Sequence, residues 1–534
     1  MCRLLLAGTA LATLITIASP ALADDAAVLK QLELMQKRLD AQEQSITAQK
    51  AEIAKLKAQL AANKEKPAAP SSVATSKTPA SPASVAELSQ TVLAQQAEID
   101  DLKIQAKQSK IKSAETPGFS MANGRPTFQT ASGNFSAVLR SLVQVDSGYF
   151  MQNSSAPAGA NDLNSGTNFR RARIGLSGKL FNVWEYYFLY DFGGSGVETS
   201  AISSAYLQYD APGGIAIRAG AFPPYTSLED SEGAADPLFL EKASAVEITR
   251  SLAGADGRMA VAVIDAQPRY LVSLAYTGSK VGQSGMFDEQ QGAVGRLAFA
   301  PWVSPQSTAV IGVNGSYVFD TADATAGPNP TSTGINFQNS PELRVDDEST
   351  GGASLNLVST GNINAETAYH WGADAGANWK SLYAEGGYYE FGADRRGVGP
   401  ANSDPFFSGW YAEASWVLTG EAHRYDSSSA AFRSPQPANP VNGSLDGWGA
   451  WEVAARYSTV DLNYRKGVAG AATAAGGIRG GEQSIWTAGI NWYPNNALRF
   501  LLNYQRDQIR RLSSAGAQAG QSLDAISLRL QVQL

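Results

Sequence analysis

From about residue 119 onward, apolar and polar residues alternate with a period of two, in short segments separated by polar or glycine-rich stretches. The final segment, 524–534, shows the pattern most clearly. Its apolar residues share one parity and its polar residues share the other: Ile526, Leu528, Leu530, Val532 and Leu534 against Ser527, Arg529, Gln531 and Gln533. Because successive side chains of a strand point to opposite faces, each segment predicts a strand with one apolar and one polar face. A soluble edge strand alternates in the same way, so the pattern alone does not identify a membrane barrel.

The same region is rich in aromatic residues. Trp and Tyr recur near the ends of its alternating segments, where membrane barrels carry their aromatic girdles. No run of about 18 apolar residues follows the N-terminus, so no membrane-spanning helix is expected. A chain without such helices can cross lipid only as a closed barrel. At roughly 45 to 55 residues per strand pair, 119–534 predicts an all-β fold, a transmembrane antiparallel β-barrel of about 16 to 18 strands. A soluble propeller is the rival, and no repeating blade motif supports it.

The N-terminus predicts a secretory signal peptide over residues 1–23. Arg3 precedes an apolar stretch at 4–17, and an A-x-A cleavage site follows at 21–23. Cys2 is the single cysteine of the chain and lies within this segment. The exported protein is therefore expected to have no disulfide, thiol catalysis or cysteine metal site.

Residues 24–118 predict a periplasmic α-helical coiled coil. Apolar residues with heptad spacing occur at 28–60 and again at 85–102, and a Pro- and Ala-rich linker at 63–84 separates them. The alternative is a solitary amphipathic helix, although short helices of this polarity are marginal alone.

The formal net charge of −7 argues against a nucleic-acid partner, which would need a basic surface. From residue 119 onward, however, the chain holds 23 arginines against 5 lysines. Guanidinium groups are suited to sites where planar hydrogen-bonded forks hold oxyanions. The other interpretation is that arginine lines polar barrel walls in general.

Catalysis has little support in the sequence. His370 and His423 are the two histidines, no metal-binding motif surrounds them, and no G-x-S-x-G motif occurs. We therefore expect neither an enzyme nor a bound cofactor or metal. The enzymatic alternative is an outer-membrane phospholipase with one of these histidines as its base.

A cluster of basic residues occupies 169–179. Arg171 and Arg173 share the polar parity, whereas Arg170 falls on the apolar parity and should lie at a strand start or in a bulge. On an earlier segment Arg140 shares the parity of Gln144 and Asp146; Arg218 and Arg529 also fall on polar parities. Guanidinium groups along a channel would lower the barrier for anions. Charge balance against wall carboxylates is the other interpretation.

At these residues the chain resembles the phosphate-selective porin family, porins O and P. The matching segments occur in order: F-R-R-A-R-I-G-L-S-G (169–178), W-E-Y-Y-F-L-Y-D-F (184–192), A-Y-L-Q-Y (205–209), A-G-A-F-P-P-Y-T-S-L-E (219–229), L-E-K (240–242), L-T-G-E (418–421), G-A-W-E-V-A-A-R-Y (449–457) and G-I-N-W-Y-P-N-N (489–496). The resemblance implies a trimeric 16-stranded outer-membrane barrel with an arginine ladder leading to a constriction. Arg140 matches the arginine of the family's first strand, and Arg170 and Arg171 match its constriction pair. Arg173 is added on parity alone.

One departure from the family concerns 230–239. Phosphate-specific members carry lysines in this inward loop, whereas here it reads D-S-E-G-A-A-D-P-L-F, with three acids and no base. This departure argues against selectivity for phosphate but not against the passage of anions in general.

We predict a homotrimeric porin of a Gram-negative outer membrane for small hydrophilic solutes, in particular anions such as phosphate. Its predicted pore-lining residues are Arg140, Arg170, Arg171 and Arg173. Lipid, lipopolysaccharide and, through the coiled coil, the cell wall are its expected neighbours. A weakly selective or cation-tolerant porin, or an envelope-tethering barrel, is the alternative.

Overall fold

The computed structural model describes residues 82–121, 124–152, 163–193, 201–283, 287–327, 330–345, 356–397, 399, 403–441 and 447–534, with isolated helical positions between 37 and 58. The predicted signal peptide and the seam positions of the first heptad run lie outside these residues. Helix α1 (Pro82–Glu115) covers the second heptad run and begins inside the stretch assigned to the linker. Its association into a coiled coil stays a prediction. None of the described helices has the length and apolar character needed to cross a membrane.

Sixteen antiparallel strands of the described chain form a closed barrel, which confirms the predicted fold. They are β1 (Ser136–Gln152), β2 (Gly166–Leu180), β3 (Trp184–Asp191), β4 (Ala201–Asp210), β5 (Ile215–Ala221), β6 (Arg258–Gln267), β7 (Tyr270–Lys280), β8 (Gln291–Ser304), β9 (Ser307–Asp320), β10 (Ala365–Trp379), β11 (Leu382–Arg395), β12 (Phe406–Val417), β13 (Ala450–Tyr464), β14 (Ile478–Asn495), β15 (Leu498–Arg510) and β16 (Ser522–Gln533). Strand β16 pairs with β1, with Gln531 opposite Gln144, and so closes the ring. Closure leaves no unpaired strand edge facing lipid.

The two faces of the strands follow the parity read from the sequence. On β16, Ile526 and Leu528 are 47% and 48% exposed on the outer surface, whereas Ser527 and Arg529 are each 2% exposed on the inner side. The outer surface is therefore the apolar one, as a lipid-facing barrel requires.

The connections differ between the two ends of the barrel. One end, the turn end, carries short connections such as 268–269, 305–306 and 380–381, and the other end carries longer loops. The connection between β12 and β13 breaks this rule, because 418–449 lies at the turn end. It carries two short paired strands, Arg424–Asp426 and Ala431–Arg433. Nothing in the alternation of apolar and polar residues indicates that this long insertion lies among the short turns.

Two further short strands, Gln338–Asn339 and Val358–Ser359, pair within the long loop between β9 and β10. Phe337 of this loop packs against Phe391 and Phe407 of the barrel wall, and Leu357 belongs to the same buried apolar cluster. The loop thus folds inward and fills part of the barrel interior. Residues Pro117–Ser120 and Thr127–Thr130, also strands, precede β1.

Candidate functional site

The segment 222–257 connects β5 to β6 and folds into the barrel. We call it the constriction loop. It contains α2 (Leu228–Ser231) and α3 (Ser244–Ala253), and the side chain of Ser227 caps α2 by accepting a hydrogen bond from the Asp230 amide. Ala245 and Val246 of α3 are fully buried. The loop is therefore a packed element and narrows the interior at a fixed position.

Arginines of the barrel wall hold the constriction loop from several sides. Arg456 of β13 pairs with Glu229 at 3.2 Å and donates to the Glu241 carbonyl at 2.9 Å. Arg499 of β15 donates to the Pro237 carbonyl at 2.8 Å. These guanidinium groups satisfy loop carbonyls and carboxylates that water would otherwise have to solvate. This set is structural, and it accounts for part of the high arginine content.

Arg170 belongs to the same structural set. The pairing of β1 with β2 shifts between Gln144–Arg171 and Val145–Phe169, so Arg170 lies in a bulge, one of the two positions that its parity indicates. Its guanidinium forms two hydrogen bonds with Glu241 of the constriction loop, Nε to Oε1 at 2.6 Å and Nη2 to Oε2 at 2.9 Å. Although burial opposes ionisation, Arg170 and Arg529 hold the pKa of the Glu241 carboxyl well below its usual value. The charge of Arg170 is compensated.

Arg173 is compensated in a similar way. Its Nε lies 2.7 Å from Asp191 Oδ2 and its Nη2 lies 2.6 Å from Asp256 Oδ2. Although burial opposes ionisation, Arg173 and Arg250 lower the pKa of the Asp256 carboxyl. Arg173 lines the central cavity but brings little net positive charge to it.

Arg140 and Arg171 differ from these two arginines. Arg140 Nε donates to Ser177 Oγ at 2.8 Å, and Arg171 Nη1 donates to Gln144 Oε1 at 2.7 Å. Neither forms an ion pair with a carboxylate of the described residues. Both line a cavity of about 570 Å³ between the wall and the constriction loop, which we call the central cavity. Two of the four predicted residues thus keep uncompensated charge there.

Three more arginines without a carboxylate ion pair among the described residues line the central cavity: Arg125, Arg218 and Arg424. Arg218 donates to Gln208 Oε1 at 2.9 Å, and Arg424 donates to the Ser434 carbonyl at 3.1 Å. Burial, reinforced by the charge of Arg140, lowers the pKa of Arg125. The polar parity of Arg218 indicates its inward position, whereas Arg125 and Arg424 lie outside barrel strands, where parity gives no signal.

The acids of 230–239 are largely compensated. Asp230 pairs with Arg250 at 2.5 Å and with Lys242 at 3.7 Å, and Asp236 lies 3.6 Å from Arg433. Burial, with the carboxyl groups of neighbouring glutamates, raises the pKa of Glu232 well above its usual value, which favours its uncharged form. The acidic stretch therefore adds less negative charge to the cavity than its sequence indicates.

The insertion at the turn end also reaches the constriction loop. Arg433 donates to the carbonyl of Glu232 and pairs with Asp426 at 3.0 Å. Arg296 of β8 joins the two segments, because it donates to Ser231 Oγ at 2.6 Å and to the Ser429 carbonyl at 2.7 Å. The interior is thus narrowed from both ends by elements that contact each other.

The two histidines have structural surroundings. His370 lies 2.5 Å from Ser316 Oγ through Nδ1 and 3.2 Å from Asn314 Oδ1 through Nε2. A serine, a histidine and an asparagine are residue types found in hydrolases, but all three side chains are buried here and none lines the central cavity. His423 Nε2 lies 2.6 Å from Glu452 and joins the turn-end insertion to β13. Of the described residues, no three metal-binding side chains converge on a metal site.

Comparison with known proteins agrees with this architecture. The family profile "Phosphate-selective porin O and P" matches residues 143–534. Porin O of Pseudomonas aeruginosa is 23% identical over 355 residues, which cover 65% of this chain and 77% of that protein. An uncharacterized protein of Caulobacter vibrioides is 25% identical over 411 residues, covering 74% of this chain and 72% of that one.

Similar solved structures include OmpT of Vibrio cholerae, with a TM-score of 0.44 and 9% identity over 75% of this chain and 98% of that one. They also include an anion-selective porin from Comamonas acidovorans, with a TM-score of 0.43 and 11% identity over 75% of this chain and 100% of that one. The profile match spans most of the chain and nearly the whole barrel. The chain therefore belongs to the phosphate-selective porin O and P family and is an outer-membrane porin.

Proposed function

We propose that this porin passes small anions by passive diffusion through the central cavity, and that Arg140 and Arg171 are its main selectivity residues. The observation that carries the proposal is the difference in charge compensation inside the barrel. Arg140, Arg171, Arg218 and Arg424 line the cavity without a carboxylate ion pair in the described chain, whereas Asp230 and Asp236 of the facing loop have cationic partners.

The physical basis is direct attraction in a confined space. A charge that lines a narrow passage with low-dielectric walls acts more strongly on an ion than the same charge in bulk water. Guanidinium donors also replace part of the hydration shell that an anion loses on entry. Uncompensated arginines therefore lower the barrier for anions and raise it for cations.

Arg170 and Arg173, also predicted to line the pore, have a different part in the proposal. Their carboxylate partners lie on the constriction loop or beside it. We assign them a positioning role. They hold the constriction loop at a fixed distance from β2, and the side chain of Arg171 faces the cavity that this spacing leaves.

Phosphate is the proposed natural solute class, supported by the family and by the relative named Porin O. The stretch 230–239 has no lysine, so any phosphate preference would have to come from the other basic residues that line the central cavity. The test is a reversal potential in planar bilayers, first in a KCl gradient and then with phosphate on one side. A reversal potential whose sign indicates anion selectivity supports the proposal. A reversal potential that indicates cation selectivity would favour the cation-tolerant alternative.

We further propose a homotrimer whose α1 helices associate in the periplasm, because a three-stranded coil would match a trimer of barrels in symmetry. Chemical crosslinking of the mature protein should give a trimer, and monomers alone would contradict this. The tether alternative predicts negligible conductance, together with loss of envelope attachment when residues 28–111 are deleted. A phospholipase would release fatty acids in detergent.

A further inference from the structure

One wall of the central cavity is aromatic. Four rings line it: Tyr187, Tyr206, Phe222 and Tyr225, which we call the aromatic strip. The rings of Tyr187 and Tyr206 are parallel within 4° and have centroids 5.4 Å apart. Tyr206 and Phe222 meet edge to face at 5.7 Å. An inorganic anion gains little from such a surface, since aromatic rings mainly offer contact to apolar or ring-bearing solutes.

Two uncompensated guanidinium groups adjoin the aromatic strip. Arg218 lies 4.4 Å from the ring centroid of Tyr206 and 5.3 Å from that of Phe222. Arg140 lies 6.0 Å from the centroid of Tyr187. Contact with ring faces holds a guanidinium in place without neutralising it. The wall thus offers apolar ring surface and positive charge to the same solute.

The strand register builds this arrangement. Tyr187 of β3 is paired with Tyr206 of β4, and Gln208, two residues further, is paired with Arg218 of β5. Gly220 stands opposite Tyr206 with φ of +135°, where a Cβ would clash with the Ala205 carbonyl and lie 3.1 Å from the Tyr206 Cβ. A glycine at this position therefore permits the close approach of β5 to the β4 backbone that brings Arg218 beside Tyr206.

Among the described residues, one carboxylate is hydrogen-bonded to the aromatic strip. The Tyr206 hydroxyl donates to Glu185 at 3.4 Å, and Glu185 does not line the central cavity. On the side of the strip that faces the cavity, Arg140 and Arg218 have no carboxylate ion pair among the described residues.

From this juxtaposition we infer that the central cavity binds organic anions that carry an aromatic ring, such as aryl sulfonates, carboxylates or phosphates, better than aliphatic anions of equal charge. This inference rests on the proposed anion passage and specifies its substrate class. The acidic group would interact with Arg140 or Arg218, and the ring would contact Tyr187 and its neighbours. An aromatic contact beyond plain burial adds about 0.5 to 1.5 kcal/mol, or roughly a twofold to tenfold change in affinity per ring.

The experiment compares benzenesulfonate with methanesulfonate as blockers of the chloride current through the full-length protein in planar bilayers. Both anions keep one negative charge over the working pH range, so they differ in the ring. The wild type should be half-blocked by benzenesulfonate at a severalfold lower concentration. Tyr187→Leu should reduce the ratio of the half-blocking concentration of methanesulfonate to that of benzenesulfonate. Tyr225→Leu provides a second test of this ratio if the first variant does not fold. Tyr317→Leu, on the exposed outer surface of β9, is the matched control and should leave the ratio unchanged.

The outcomes separate the two proposals. A chloride-selective channel that is blocked equally by both anions would overturn the aromatic preference and leave anion passage intact. A ratio that survives both tyrosine substitutions would also overturn it. A channel without anion selectivity in KCl would remove the proposed function itself, and the aromatic preference with it.

Discussion

Arg170 of β2 and Glu241 of the constriction loop form a bidentate ion pair in the barrel interior, with Nε to Oε1 at 2.6 Å and Nη2 to Oε2 at 2.9 Å. The neighbouring residue, Arg171, points to the central cavity and bonds to an uncharged amide. Two adjacent arginines of one motif therefore differ in whether a carboxylate compensates their charge. One connects the loop to the wall, and the other has no carboxylate ion-pair partner among the described residues.

Replacement of these two arginines should separate stability from selectivity. Arg170→Ala leaves Glu241 buried with Arg529 as its remaining ion-pair partner, and loss of one member of a buried pair costs about 3 kcal/mol or more. Arg171→Ala removes a bond to Gln144 and should cost about 1 kcal/mol. Urea titration of the refolded barrel in detergent measures both. Equal losses would contradict the structural assignment of Arg170.

Acid should loosen the constriction loop. Although burial opposes ionisation of Glu247 on α3, Arg250 and Arg344 lower the pKa of its carboxyl from 4.5 to about 2. Because the folded pKa lies below the unfolded one, the stabilising contribution is present above about pH 4.5 and is lost as the pH falls toward 2. Single-channel recordings should show growing current fluctuations over that window. The current through the Glu247→Gln variant should fluctuate already at neutral pH. Glu482→Gln, at a half-exposed position, is the control. Steady currents down to pH 2 would contradict this.

The turn-end insertion should limit conductance. Arg433 connects it to the constriction loop through the Glu232 carbonyl and Asp236, so Arg433→Ala removes these contacts. We expect a larger and noisier single-channel conductance, because the insertion would no longer be held against the loop. Arg269→Ala, at a short turn of the same end, is the control. An unchanged conductance in Arg433→Ala would show that the insertion does not narrow the path.

The barrel and its faces could be predicted because strand parity is a local property of the sequence. The inward set Ser527, Arg529 and Gln531 follows directly from it. The parity of Arg170 indicates either a strand start or a bulge, and the residue lies in a bulge. The closed ring of 16 strands follows from length and from the family resemblance.

The charge state of the site could not be predicted, because it depends on partners distant in sequence. Arg170 meets Glu241 71 residues later, and Arg173 meets Asp256 83 residues later. Strand parity places an arginine inside the barrel but does not indicate whether a carboxylate lies close enough to form an ion pair with it. Strand parity does not predict the inward position of Arg424, because this residue lies in the insertion at the turn end and not in a barrel strand.

The most direct test of the account is the reversal potential in a KCl gradient for the wild type and for Arg140→Ala/Arg171→Ala. Arg510→Ala, whose side chain is 74% exposed, is the matched control. We expect an anion-selective wild type and control, and a clearly lower chloride-to-potassium permeability ratio in the double variant. Equal ratios in all three proteins would contradict it.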